Sequence, residues 1–110
     1  MAALFLLVVT TVGSRDEARS LARTLVERGL AACAQISEIE SYYAWEGAVQ
    51  HDPEFRVLFK VATGLYDVVE EAIRELHSYQ LPAIHAIPVT HAHAPYRAWV
   101  EANSHRAADL

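Results

Sequence analysis

Six histidines and one cysteine are the most chemically versatile side chains in this sequence. His85, His91 and His93 share strand parity, and side chains at i and i+2 face the same way. His91-Ala92-His93 would chelate Zn²⁺ or Ni²⁺ given a third ligand. Pro95 and the nearby alanines, however, mark a strand that is ending, which predicts rim or loop histidines. His77 closes a helical pattern, where the C-terminal dipole favours a protonated imidazole. Two roles fit it: a helix-ending histidine bonded to backbone, or a contact to a metal or ligand. Cys33 follows Leu30-Ala31-Ala32 at a helix-to-strand junction. A buried inert thiol is the default for a free cysteine, with a soft ligand at a pocket as the other reading. Thiol catalysis would need a base to lower the pKa, and only His77 offers itself, from a distance. Paired carboxylates, triad spacing and a Gly-rich phosphate loop are all missing from the sequence, so the chain is expected not to be an enzyme.

The elements that must position these groups are legible from periodicity. Leu4 to Thr11 is a continuous apolar run and predicts a strand covered on both faces. Ser14 and Glu17 have the spacing of a capping box, in which each side chain satisfies the other's backbone N–H. Ala18, Leu21, Ala22, Leu25 and Val26 follow at helical spacing, with Gly29 placed to end the helix. From Ala32 the period becomes two. Ile39, Ser41, Tyr43 and Trp45 share one face while Ile36 falls in the opposite phase, which predicts a bulge or kink between Ile36 and Ile39. After the turn at Glu46-Gly47 the alternation resumes with Phe55, Val57, Phe59 and Val61, and Asp52-Pro53 suggests an irregularity near a sheet edge. Thr63-Gly64 opens a second helix, a strand runs from about Ala83 to Thr90, and Pro95 begins a short helix carrying Tyr96, Trp99 and Val100 inward. This order predicts an α+β fold: a ferredoxin-like βαββαβ sandwich with an extended central hairpin and a C-terminal helix, in one domain over residues 1–110.

The hairpin is too long for its domain. A strand from Cys33 to Trp45 would span roughly 43 Å at ~3.3 Å per residue, against a diameter of about 35 Å for a domain of this size. Tyr42, Tyr43, Trp45, Phe55 and Phe59 all lie on this hairpin. The hairpin therefore overhangs its own domain or bends hard at the bulge. An overhanging strand exposes unpaired backbone unless another chain covers it, so Tyr42, Tyr43 and Trp45 are expected to form an oligomer interface.

Composition narrows the partners. The chain has 110 residues, 53% of them hydrophobic, and a net charge of −5. Arg15, Arg19, Arg23 and Arg28 are interleaved with acids and apolar residues, which argues against nucleic acid as a partner. The apolar run Ala2 to Val9 is too short to span a bilayer and lacks a basic flank. A single cysteine fits a reducing compartment. A soluble cytoplasmic protein with no membrane partner is therefore expected.

Four segments, in order, resemble a known family. Glu27-Arg28-Gly29-Leu30-Ala31-Ala32-Cys33 resembles the E-x-x-L-A-A-C segment of the CutA divalent-cation-tolerance proteins. Ser41-Tyr42-Tyr43-Ala44-Trp45-Glu46-Gly47 resembles their S-x-Y-x-W-E-G hairpin, and Glu75-Leu76-His77-Ser78-Tyr79-Gln80-Leu81-Pro82 their E-L-H-P-Y-E-x-P turn. Tyr96 and Trp99 match the closing Y-x-x-W. The resemblance implies a homotrimer built like the PII signalling trimers and a link to Cu²⁺ or other divalent cations, with no established catalysis. It also implies a metal ligand at His77, and another at the end of the first strand, where some relatives carry Cys and this chain has Thr10. Ser78, Gln80 and Ala83 stand where the family often has Pro, Glu and Glu. Lys60 also matches, as part of a subunit-interface pocket with Tyr79; a snorkelling strand lysine is the alternative. The function so implied is metal tolerance, with a metal or small anionic ligand bound in clefts between subunits. The alternatives are a PII-like regulator of a protein or nucleotide, and a thiol enzyme.

Overall fold

The computed structural model describes residues 2–105. Strand β1 (Phe5–Val12) is followed by helix α1 (Arg15–Glu27), strands β2 (Cys33–Trp45) and β3 (Ala48–Val61), helix α2 (Tyr66–Leu76), strand β4 (Ile84–Val89) and helix α3 (Ala94–Asn103). The sheet order is β2-β3-β1-β4 with every neighbouring pair antiparallel. This is the expected split βαβ sandwich.

Local signals account for α1. Ser14 Oγ accepts the Glu17 N–H at 3.1 Å, one half of the capping box. The reciprocal half does not form. Instead the Glu17 carboxylate accepts both the Ser78 N–H (3.0 Å) and the Ser78 hydroxyl (2.9 Å), because the turn after α2 packs against this helix end. At the other end Gly29 takes φ 73°. The Leu30 and Gly29 N–H groups then reach back to Leu25 O and Val26 O, a Schellman closure. The core lies between the sheet and α1/α2: Val8 and Val12 from β1, Val57, Phe59 and Val61 from β3, Leu21 and Leu25 from α1, Val69 and Ile73 from α2.

Three local expectations need correction. The β2–β3 register runs from Cys33 opposite Lys60 to Trp45 opposite Ala48 without a slip, so there is no bulge between Ile36 and Ile39. Ala34 and Ile36 pack into the helix-side core, whereas Ile39, Tyr43 and Trp45 lie on the other face. The apolar phase changes because the burial partner changes, and the ladder is untouched. Thr63–Leu65 forms a 3₁₀ turn, with α2 proper starting at Tyr66. Trp99 is 46% exposed and stacks on Tyr96, while Val100 alone of the expected trio is fully buried. Adjacent helical residues point about 100° apart, so only one of that pair can face the core.

The hairpin length stands as expected. Pairing between β3 and β1 stops at Phe55, and the remainder of β3 with the outer part of β2 projects as a two-stranded ribbon. Pro53 lies in this ribbon, beyond the stretch paired with β1. The longest dimension of the molecule is 45 Å. Glu46 (φ 50°) and Gly47 (φ 80°) close the ribbon with two left-handed residues, the signature of a type I′ turn. At the opposite end α3 is tied down by Ser104, whose buried hydroxyl donates to Leu30 O (2.7 Å) and accepts the Ala62 N–H (2.8 Å).

Candidate functional site

Chemistry-bearing groups converge where the ribbon leaves the sheet. The segment between α2 and β4 crosses the end of β1 there. His77 is the first residue of that segment, and its side chain is wholly buried. Its Nε2 lies 2.8 Å from Thr11 O, and a carbonyl only accepts, so Nε2 carries the proton. Nδ1 accepts the Tyr79 N–H at 3.0 Å, with Glu17 Oε2 4.0 Å away. Both nitrogens of the neutral ring are engaged with backbone, and neither presents a free lone pair. Tyr79 then passes over Gly13, where an added Cβ would come within 3.2 Å of the phenolic oxygen, and donates its hydroxyl to Glu54 Oε2 at 2.8 Å. Burial pushes the Tyr79 phenol well above its ordinary pKa, helped by the bond to Glu54 and the negative field of Glu54 and Glu17. Glu54 itself is only 9% exposed.

On the ribbon, Tyr43 donates to Asp52 Oδ2 at 2.7 Å, and this bond is the leading cause of a raised Tyr43 pKa. Tyr42 is on the opposite face and stacks on His51, ring centroids 4.1 Å apart. Between ribbon and crossing segment lies a hollow of about 550 Å³, walled by Tyr43, Trp45, Tyr79 and Leu81 with Thr11, Ser41 and Glu54.

The remaining candidates sit elsewhere. Thr10 is fully buried on the helix side of β1, and its Oγ1 has no hydrogen-bond partner among the described residues. Cys33, half-buried, faces Lys60 across β2–β3, and the Lys60 ammonium rests 5.1 Å from the centre of the Tyr96 ring. Lys60 is six residues along β3 from Glu54, about 20 Å at strand rise, so Cys33 and Lys60 do not share a pocket with Tyr79 within one chain. His91 and His93 are exposed in the loop after β4. Among the described residues no three His, Cys, Asp or Glu side chains gather as a metal site. The donor set expected for copper therefore does not fit: His77 is committed to backbone and Thr10 Oγ1 is sealed in the core.

Sequence reasoning passed over Glu54, Glu17 as partner of Ser78, and the Tyr42–His51 stack. Glu54 reads in sequence as an ordinary wet-face strand residue. Only the crossing segment, brought in from 25 residues away, buries it.

Comparison with known proteins decides the family. The family model described as CutA1 divalent ion tolerance protein matches residues 6–103. The chain belongs to the CutA1 family. The divalent-cation tolerance protein CutA of Thermus thermophilus is 37% identical over 98 residues, covering 88% of this chain and 95% of the relative. The crystal structure of CutA1 from the psychrotrophic bacterium Shewanella sp. SIB1 superposes with a TM-score of 0.90 at 33% identity, covering 94% and 98% of the two chains. A periplasmic divalent cation tolerance protein CutA from Archaeoglobus fulgidus gives a TM-score of 0.89 at 30% identity, covering 92% and 99%. No helix among the described residues is long and apolar enough to cross a membrane.

Proposed function

We propose that this CutA1-family chain assembles as a homotrimer through its ribbon and acts in tolerance of divalent metals, copper among them. It does so by binding a metal ion or small ligand in clefts between subunits, without catalysis. The observation that carries the reading is the ribbon itself. Tyr42 is 70% exposed, Trp45 44% and Val49 76%, on strands with free edges. Exposed rings and unpaired backbone of this extent favour association, and in a closed three-fold ring the ribbon of each copy would lie against a different face of the next. The cleft is assigned to the base of the ribbon, supported by the hollow between Tyr43, Trp45 and Tyr79. A neighbouring chain would wall it in, and could bring its own Lys60 and Cys33 towards Tyr79. The two-residue turn at Glu46-Gly47 leaves no long loop of the kind a PII-like reading would need. The single cysteine supports a cytoplasmic location.

Light scattering tests the assembly: a mass of three chains is expected, and a stable monomer refutes it. Calorimetric titration with Cu²⁺ of the chain and its His77→Ala variant tests the metal role. Unchanged affinity removes His77 as a ligand.

A further inference from the structure

We infer that the hollow at the base of the ribbon takes an organic cation bearing apolar surface, an alkyl- or arylammonium or a guanidinium. The inference rests on the proposed ligand cleft and adds the chemical class of its occupant. The walls are aromatic and aliphatic: Tyr43, Trp45, Tyr79 and Leu81, the same four that also border an adjoining hollow of about 360 Å³ beside Ser78 and Gln80. Among the described residues Glu54 is the one charged side chain on the inner face of either lining; Glu40, also at the rim, shares the ribbon face of Tyr42 and sets its carboxylate 3.7 Å from His51 Nε2. No lysine, arginine or histidine among the described residues lines them, so an anion would enter against like charge.

The hydrogen bonds sharpen the sign. Tyr43 and Tyr79 give their hydroxyl protons to Asp52 and Glu54, so neither phenol can donate to an incoming anion. Glu54 is a nearly buried carboxylate compensated by one neutral donor on Oε2, with no hydrogen-bond partner for Oε1 among the described residues. A carboxylate so placed gains most from a cation at its open oxygen. Tyrosine and tryptophan rings attract such a cation and cover its apolar body. A divalent metal ion fits less well. It needs several oxygen or nitrogen ligands, whereas one carboxylate, Glu54, with the neutral hydroxyls of Thr11 and Ser41 and largely aromatic walls are what the hollow offers.

The test uses three probes of one shape and different charge: benzylamine, benzyl alcohol and benzoate, titrated calorimetrically at neutral pH. Movement of the Trp45 indole N–H resonance reports the site. Benzylammonium is expected to bind about ten-fold more tightly than benzyl alcohol, with benzoate weakest. Glu54→Gln keeps the acceptor for Tyr79 and should weaken benzylammonium about ten-fold while leaving benzyl alcohol unchanged. Trp45→Leu, at the ribbon tip and outside the core, should weaken both by a few-fold. Equal affinity for the three probes, or a preference for benzoate, overturns the inference. So does Cu²⁺ binding that Glu54→Gln abolishes in a protein indifferent to benzylammonium. Sedimentation of the same samples separates the two readings. Charge-selective binding by a monomer keeps the ligand class and refutes the inter-subunit cleft, and a trimer without selectivity does the reverse.

Discussion

Thr10→Val should stabilise the protein. Thr10 is fully buried between Val57 on β3 and Ile84 on β4, and its Oγ1 has no hydrogen-bond partner among the described residues. Burying a hydroxyl without a hydrogen bond costs about 1–3 kcal/mol in protein mutational series. Valine has nearly the same shape and the same preference for strands, so the substitution removes the penalty and leaves no cavity. The expected gain is therefore ~1–3 kcal/mol. For a domain of this size each kcal/mol moves Tm by roughly 4–8 °C. Guanidinium unfolding of both proteins at one chain concentration, because association links stability to concentration, should show a higher midpoint with an unchanged slope. Thr10→Ser is the control: it keeps the hydroxyl and loses a methyl, and should cost about 1 kcal/mol. An unchanged or lowered midpoint in Thr10→Val would mean that Oγ1 has a partner in solution, and would refute the reasoning. The same variant bears on the family's ligand position, since loss of Cu²⁺ binding on removing this hydroxyl would contradict its enclosure.

Ser104→Ala should cost about 2 kcal/mol, because one hydroxyl serves both Leu30 O and Ala62 N–H. Hydrogen exchange at the Ala62 amide should accelerate with it, and an unprotected amide in the parent protein would refute the clamp. Tyr79 holds its proton above the ordinary phenol pKa of 10.0, so its contribution is fully present below that pH and is lost as pH rises through the higher folded value. Stability should therefore fall on alkaline titration above about pH 10, with a shallower fall in Tyr79→Phe; identical alkaline limbs would exclude Tyr79 as a cause.

The elements were legible where their determinants are local. The Ser14 cap, the Leu21/Leu25 stripe and Gly29 all act within a turn or two, and α1 begins and ends where they imply. The limits of β2 at Cys33 and Trp45, and the turn at Glu46-Gly47, followed from alternation and from residues that accept left-handed backbone. The phase change at Ile36/Ile39 looks like a bulge only if one face of the strand is buried along its whole length, whereas the buried face switches while the pairing with β3 continues. The spacing of Trp99 from Tyr96 suits a shared helix face, yet Val100 takes the buried position.

For the candidate site the division is sharper. By itself the sequence determined the family, the split βαβ order, the over-long hairpin and the surplus of aromatic residues on it. It named His77 and Tyr79, because each belongs to a recognisable turn motif. Only the tertiary structure decided that both nitrogens of His77 are taken by backbone, that Ser78 rather than Ser14 receives the Glu17 carboxylate, and that Glu54 is buried beneath Tyr79. Those partners lie 25 to 66 residues apart in the chain, apart from the local Tyr79 N–H. A side chain's charge and lone pairs are written in its type, but what they meet is set by packing between distant segments.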